Sequence, residues 1–376
     1  MRVCITRSER YSYSETFIRD QIAQFSKTDE IYTIHTGRLP ERDEHNKLLS
    51  SRLFWALHQV IKGITGKRNN FFGNYGVLQF LLKQKIDVVV ANYGLTASHM
   101  TPICKQANIP LIVIFHGHDA TDRRLLAKYS NLYHQLFDYA SAIVAVSQDI
   151  AQQLISLGAN SNKVQVIPCG VDINLFRPIK KNERTKLKFL AVGRFTAKKG
   201  PEFTIRAFQY VWLKFPESRL IMVGAHSGLF EKCKTLVATL GLSEAVIFPG
   251  AVNHEVIVDF MNDALAFVQH SITASNGDTE GTPVSVLEAS ASGLPVISTK
   301  HGGIKQAVIH DVTGYLVDEK DVVNMSRYMI KLIEEPGLYS SLGKAGREHI
   351  KKNYNQEDQV EKVRQLAVSA VSSFHF

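Results

Sequence analysis

Short runs of β-branched and aliphatic residues alternate along the chain with longer stretches in which apolar residues recur every three or four positions. That alternation predicts βαβ units, in which parallel strands are covered on both faces by helices. The pattern occurs twice. In the first half it predicts strands near 2–6, 30–35, 86–91, 110–115, 142–146 and 163–167, with helices near 14–26, 75–84, 122–138 and 147–157. In the second half, strands near 187–192, 218–223, 245–248, 264–268 and 295–298 alternate with helices near 201–215, 228–241, 283–292 and 319–334. Between the halves, FRPIKKNERTK at 176–186 is polar, charged and broken by Pro178, which marks a linker. The predicted class is α/β, with two doubly wound domains, 1–175 and 187–354, facing each other across a cleft. Ligands of such sheets bind outside the carboxyl ends of the strands.

Two amphipathic stretches stand apart from this scheme. Residues 51–67, SRLFWALHQVIKGITGK, place Leu53, Phe54, Leu57, Val60, Ile61 and Ile64 on one helical face, with Arg52, Lys62, Lys67 and Arg68 around it. Packing on the first sheet and lying on an anionic membrane surface both fit that pattern. Residues 355–373 form a last helix with Val360, Val363, Ala367, Ala370 and Val371 on one face.

Composition narrows the function classes. At 376 residues, 45% hydrophobic and 21% charged, the chain has the makings of two folded cores and none of a disordered tract. An excess of 44 Lys and Arg over 35 Asp and Glu gives +9, which favours anionic partners such as nucleotides or anionic lipid. No nucleic-acid module appears. Cys4, Cys104, Cys169 and Cys233 show neither metal-site nor disulfide spacing, and they read as thiols of a reducing compartment. The start, MRVCITRSER, turns polar after Ile5 and lacks the apolar core of a signal peptide. The longest apolar runs fall far short of the roughly 20 residues a bilayer-spanning helix needs. A cytoplasmic protein, free or peripheral on the inner face of the cell membrane, is the expectation.

The densest chemistry lies in GDTEGTPVSVLEASASGLPVIST, 277–299. A loop with Gly281 and Thr282 leads into a helix, with Thr282 expected as its N-cap and Pro283 at its first position. Such a helix start aims free amides and a positive dipole end at the loop, as phosphate binding requires. Glu280 lies in the loop, within reach of a sugar, and Glu288 lies inside the helix, within reach of ribose hydroxyls. In FLAVGRFTAKKG, 189–200, a strand runs into a turn bearing Gly193, Arg194 and Lys199, just before a helix opened by Pro201. Two cations there can neutralise a departing diphosphate. In the first half LIVIFHGHDATD, 111–122, is a buried strand ending in His116, Gly117, His118 and Asp119. The spacing does not complete a metallohydrolase site, and no D-x-D motif is present to hold a nucleotide-bound divalent ion. No metal site and no cofactor are expected.

Taken with VSQDIAQQLISLGANSNKVQVIPCGVDINLFRP at 146–178, these motifs occur in an order that resembles glycosyltransferase family 4, the retaining enzymes of the GT-B fold with two Rossmann-like domains. The resemblance covers nearly the whole chain. It implies transfer of a hexose from a nucleotide diphosphate sugar, with UDP preferred, to a glycan or lipid-linked acceptor. Arg194 and Lys199 would bind the diphosphate, Glu288 the ribose and Glu280 the donor sugar. Gly281, Thr282, Val284 and Ser285 would offer backbone amides, and Gly193 would line the same site. The base would lie at Pro249, Gly250 and Val252, and His116 would contact the sugar or position the acceptor. Activation would be electrostatic, metal-independent and retaining. Residues 355–376 would cross back onto the first domain.

Two segments depart from the family pattern. TRSERYSYSETFIRDQI, 6–22, has no glycine where many members carry a Gly-Gly loop, and VGAHSG at 223–228 replaces a Gly-x-Gly-Pro sequence. The SETFI version resembles members of bacterial surface-polysaccharide assembly, whose acceptors are lipid-diphosphate-linked sugars, and it puts Ser14, Glu15, His118 and Asp119 on the acceptor side. A nucleotide-sugar epimerase, a phosphorylase and a catalytically silent polysaccharide-binding subunit are the competing readings.

Overall fold

The computed structural model describes residues 1–9, 16–51, 60, 71–179 and 187–374. The chain forms two compact units, Met1–Pro168 together with Glu357–Phe376, and Cys169–Gln356.

The first unit contains β1 (Arg2–Thr6), β2 (Glu30–His35), β3 (Arg42–Asp43), β4 (Val88–Asn92), β5 (Leu111–Phe115), β6 (Ala142–Ala145) and β7 (Val164–Val166). They form one sheet in the order β3-β2-β1-β4-β5-β6-β7, parallel except for the two-residue β3. Its helices are α1 (Thr16–Phe25), α2 (Phe71–Lys83), α3 (Gly94–Ala107), α4 (His118–Thr121), α5 (Arg123–Tyr139) and α6 (Gln148–Ser156). Every residue of β4 and β5 is buried, which is why these strands read as unbroken apolar runs.

Helix α3 is absent from the sequence-based scheme. Nine of its residues are buried, including Thr96, Ser98 and Thr101, so polar residues stand on the buried side and blur the 3.6-residue period. Ser98 and Thr101 satisfy their hydroxyls on the carbonyls of Leu95 and Ala97, at 2.8 and 2.9 Å, which lets polar residues sit in the core. Pro102 lies inside it as well.

The second unit contains β8 (Lys188–Val192), β9 (Arg219–Val223), β10 (Val246–Gly250), β11 (Ala266–Gln269), β12 (Val296–Thr299) and β13 (Gly314–Val317) in the order β10-β9-β8-β11-β12-β13, all parallel. This is the six-stranded doubly wound order, whose direction reverses between β8 and β11. Helices α7 (Pro201–Lys214), α8 (Phe230–Thr239), α9 (His254–Asp263), α10 (Val284–Ala291), α11 (Ile304–Ala307), α12 (Val322–Glu334) and α13 (Pro336–Asn353) cover it. Strand β13 and helices α9, α11 and α13 are additions to the predicted elements. Asn253 caps α9 by accepting from the Val256 amide at 3.0 Å, and Pro336 opens α13.

Helix α14 (Gln356–Phe374) belongs, from Glu357 onward, to the first unit. There Arg364 pairs at 2.7 Å with Asp29, whose side chain is buried, and Glu357 accepts from Gln24 and Lys27. Residues 169–175, counted with the first domain on sequence, and Phe176, counted with the linker, sit in the second unit. Val171 donates its amide to Tyr354 O at 2.9 Å and accepts from the Gln356 amide at 3.1 Å, while Phe176 is buried in that unit's core. Residues 180–186 of the expected linker lie outside the described residues. So does the amphipathic stretch 51–68, apart from Ser51 and Val60. Among the described residues no helix is long and apolar enough to cross a membrane.

Candidate active site

In the second unit, Gly193, Arg194, Lys199 and Glu280 gather at the carboxyl ends of β8 and β11, where the strand order reverses. A pocket there is lined by Gly193, Arg194, Phe195, Lys199, Thr204 and Gln269. Beyond β8 the chain makes one 3₁₀ turn, Ala197–Lys199, and then enters α7 through Gly200. Gly200 has φ +51°, and a Cβ there would meet His270 O at 2.0 Å, so only glycine fits this turn against the end of β11. Neighbouring residues of a 3₁₀ turn point about 120° apart. Lys198 and Lys199 accordingly diverge. Lys199 Nζ lies 3.2 Å from Glu280 Oε1 and 3.5 Å from Gln269 Oε1. Lys198 pairs with Asp278 at 3.0 Å and donates to Thr279 O at 3.2 Å.

Both lysines therefore hold the loop that bears Glu280. Burial alone would raise the Glu280 pKa, but the charges of Lys199, then Lys198, bring it below the ordinary glutamate value. The Lys199 contact is an ion pair at an angle that leaves Oε1 without an aligned hydrogen bond. Gln269 is held by Ser285, whose hydroxyl donates to Oε1 at 3.4 Å, and it donates to Ser271 Oγ at 2.8 Å. Arg194 is exposed at the rim. Glu288 is buried on α10.

The helix start differs from the sequence expectation. Helix α10 begins at Val284, Pro283 occupies the N-cap position with φ −76° and ψ 98°, and no side chain caps it. Thr282 is thus not the N-cap. Its hydroxyl accepts from the Cys169 amide at 3.4 Å. The amides of Val284 and Ser285 are among those that an α-helix leaves without an intrahelical partner. Gly281 is buried and anchors the loop by accepting from the Gly303 amide at 3.0 Å. Pro249 and Gly250 belong to β10 itself, two residues past its predicted end, on an edge strand where a missing amide is tolerated. Val252 follows on the loop to α9. Nearby, His226 stacks on Phe230 with ring centroids 3.9 Å apart.

In the first unit, the corresponding reversal lies between β1 and β4, and there Asn92 at the end of β4 organises a buried network. Asn92 Oδ1 faces His116 Nε2 at 3.0 Å, and its Nδ2 donates to Gln21 Oε1 at 3.0 Å and Thr6 O at 3.2 Å. Phe17 and Tyr93 flank the imidazole, with centroids at 4.4 and 4.7 Å. Burial pushes the His116 pKa down to about 3, and Nδ1 is buried without a partner, in a residue that is half-buried as a whole. Tyr93 adopts φ 71° and ψ 129°, a conformation that costs a bulky residue about 1–3 kcal/mol.

Asp119 is corrected by the structure. It has no exposed surface, and its two oxygens accept from the amides of Gly94, His116 and Gly117 at 2.8, 3.0 and 3.0 Å. It holds the start of α3 against the His116–Gly117 turn and has no atom to offer an acceptor. Burial raises its pKa, against the pull of those three donors. His118 is exposed on α4. Ser14 and Glu15 lie outside the described residues. Sequence reasoning missed Lys198, Gln269 and Asn92. The last two carried a legible signal, since each is the single polar residue closing an apolar strand.

Two doubly wound sheets, one carrying a cationic turn and a buried glutamate at its reversal point, define a GT-B glycosyltransferase. Residues 15–175 match the family described as Glycosyltransferase Family 4, and residues 172–349 match Glycosyl transferases group 1. The chain belongs to this glycosyltransferase family. It is 30% identical over 280 residues to the colanic acid biosynthesis glycosyltransferase WcaL of Escherichia coli, covering 73% of this chain and 68% of that one. It is 28% identical to the amylovoran biosynthesis glycosyltransferase AmsK of Erwinia amylovora, covering 91% and 93%. Among solved structures, sucrose-phosphate synthase of Thermosynechococcus elongatus superimposes with a TM-score of 0.78 at 19% identity, over 99% of this chain and 100% of that one. Anabaena HepE in complex with UDP and glucose gives 0.78 at 18%, over 98% and 100%.

Proposed function

We propose that the protein transfers a hexose from a UDP-sugar, with retention of anomeric configuration and without a metal ion, to a lipid-diphosphate-linked glycan during bacterial exopolysaccharide synthesis. The observation that carries this reading is the Lys199–Glu280 pair beside Gly193 and Arg194 at the carboxyl ends of the reversing strands. The named relatives WcaL and AmsK support the pathway, and HepE, with its bound UDP and glucose, supports the donor.

In this reading Arg194, Lys199 and the first amides of α10 bind the diphosphate. Glu288 takes the ribose and Glu280 the donor sugar. The bond from the anomeric carbon to the diphosphate breaks with its electron pair on phosphate oxygen, where Lys199 and Arg194 stabilise the charge. The acceptor hydroxyl attacks from the same face and gives its proton to that oxygen. His116, neutral at cytoplasmic pH, serves as a hydrogen-bonding group on the acceptor side. The +9 excess suits a cytoplasmic enzyme working against an anionic membrane surface.

A thermal-shift titration with UDP, GDP and ADP, with and without EDTA, tests this. Saturation at about 100 times the dissociation constant should stabilise the protein by about 2.7 kcal/mol. Selective stabilisation by UDP that survives EDTA is expected. Stabilisation by another nucleotide alone would overturn the donor, and its loss in EDTA would overturn metal independence.

A further inference from the structure

Outside the roles assigned above, one buried side chain joins both ends of the loop that carries Glu280. His301 follows β12 and is 3% exposed. Its Nε2 accepts the backbone amide of Glu280 at 3.1 Å. A nitrogen that accepts carries no proton, so in the neutral ring the proton sits on Nδ1. Nδ1 faces Glu319 Oε1 at 2.6 Å, which suits a donor meeting a carboxylate. Glu319 in turn accepts from the Thr273 amide at 2.9 Å and the Thr273 hydroxyl at 3.1 Å. Thr273 lies near the start of the loop between β11 and α10, and Glu280 near its end.

We propose that His301 is a positioning residue that fixes the Glu280 main chain, with Glu319 setting its tautomer and tying the same ring to the start of the loop. Gly302 brings the segment into place, because a Cβ there would meet Glu280 O at 2.3 Å. With the backbone of Glu280 held by His301 and the loop's middle held by Lys198, the carboxylate is delivered to Lys199 rather than left to find it. The consequence for the reaction rests on the assignment of Glu280 to the donor sugar, whereas the clamp itself does not.

Two substitutions separate the two bonds. His301→Gln places an amide oxygen near the position of Nε2 and keeps an acceptor for the Glu280 amide. His301→Asn reaches only the position of Nδ1 and leaves that amide unpaired. Slow hydrolysis of UDP-glucose, read as released UDP, should fall about 10- to 100-fold in His301→Asn, with UDP affinity changed less than about twofold, and should largely recover in His301→Gln. Hydrogen exchange at the Glu280 amide should accelerate in the Asn variant only. In the unsubstituted protein, ¹⁵N signals of His301 should show a protonated Nδ1 and a bare Nε2. The opposite tautomer, or equal Glu280 exchange and equal turnover in all three proteins, would overturn the clamp. Failure of the unsubstituted protein to bind UDP would instead sink the donor assignment, and the tautomer and exchange measurements would still decide the clamp.

Discussion

Replacing Lys199 by methionine keeps most of its volume and removes the charge that faces Glu280. The carboxylate is nearly inaccessible, with 7% of its side chain exposed, so it cannot turn to water for compensation. Removing one partner of a buried ion pair costs about 3–5 kcal/mol. Lys199 itself is 17% exposed and Lys198 still acts on Glu280, so the expected loss is smaller, about 2–3 kcal/mol at pH 7. For a unit of this size that lowers the melting temperature by about 4–12 °C. The double variant Lys199→Met with Glu280→Gln removes the stranded charge and should recover more than half of the loss. The folded-state pKa of Glu280 lies below its unfolded value, so its contribution is complete above about pH 4.3 and is lost as the pH falls through the lower folded value. The Lys199→Met deficit should therefore be full at neutral pH and shrink in acid. Urea unfolding of the three proteins between pH 7 and pH 3.5 measures this. A deficit independent of pH, together with a double variant no more stable than the single, would refute the reasoning.

The remaining predictions probe both units. His116 has a folded pKa of about 3 against an unfolded 6.5, so the unfolded chain takes up a proton that the folded one refuses; this contribution is full above pH 6.5 and is lost toward pH 3 by up to about 1.4 kcal/mol per unit. His116→Gln should flatten the dependence of unfolding free energy on pH between 6.5 and 4.5, and an unchanged slope would contradict the assignment. Gly200→Ala should destabilise by about 2–4 kcal/mol, because it adds a Cβ at φ +51° against His270 O, and should weaken UDP binding by shifting Lys199. A melting temperature equal to that of the unsubstituted protein would show that the turn can relax.

Strands such as β4 and β5 were readable because burial on both faces makes them short, continuous apolar runs, VVVAN and LIVIF. Amphipathic helices such as α5 were readable for the complementary reason. Helix α3 was not, since its buried Ser98 and Thr101 answer their own backbone and interrupt the apolar stripe. At the site, Lys199 and Glu280 were found from motif spacing, and the structure brings them together. The misplaced cap at Thr282 shows the limit of local rules, for a hydroxyl well suited to a helix start is drawn to the Cys169 amide, 113 positions away in sequence. Asp119 shows the same limit in reverse. A carboxylate beside two histidines looks chemical in a string of letters, yet only three-dimensional pairing reveals three amides converging on it.

The return of α14 to the first unit has a consequence for how the protein is made. The second unit is one uninterrupted segment, Cys169–Gln356, whereas the first is assembled from Met1–Pro168 before it and Glu357–Phe376 after it. While the chain is growing from the ribosome, Asp29 waits without Arg364 until the whole of the second unit has been added. The unit translated second can close its core before the unit translated first is complete. A nascent chain at that stage is a folded carboxyl-terminal half trailing an unfinished amino-terminal one, the natural stage for chaperone capture or proteolysis.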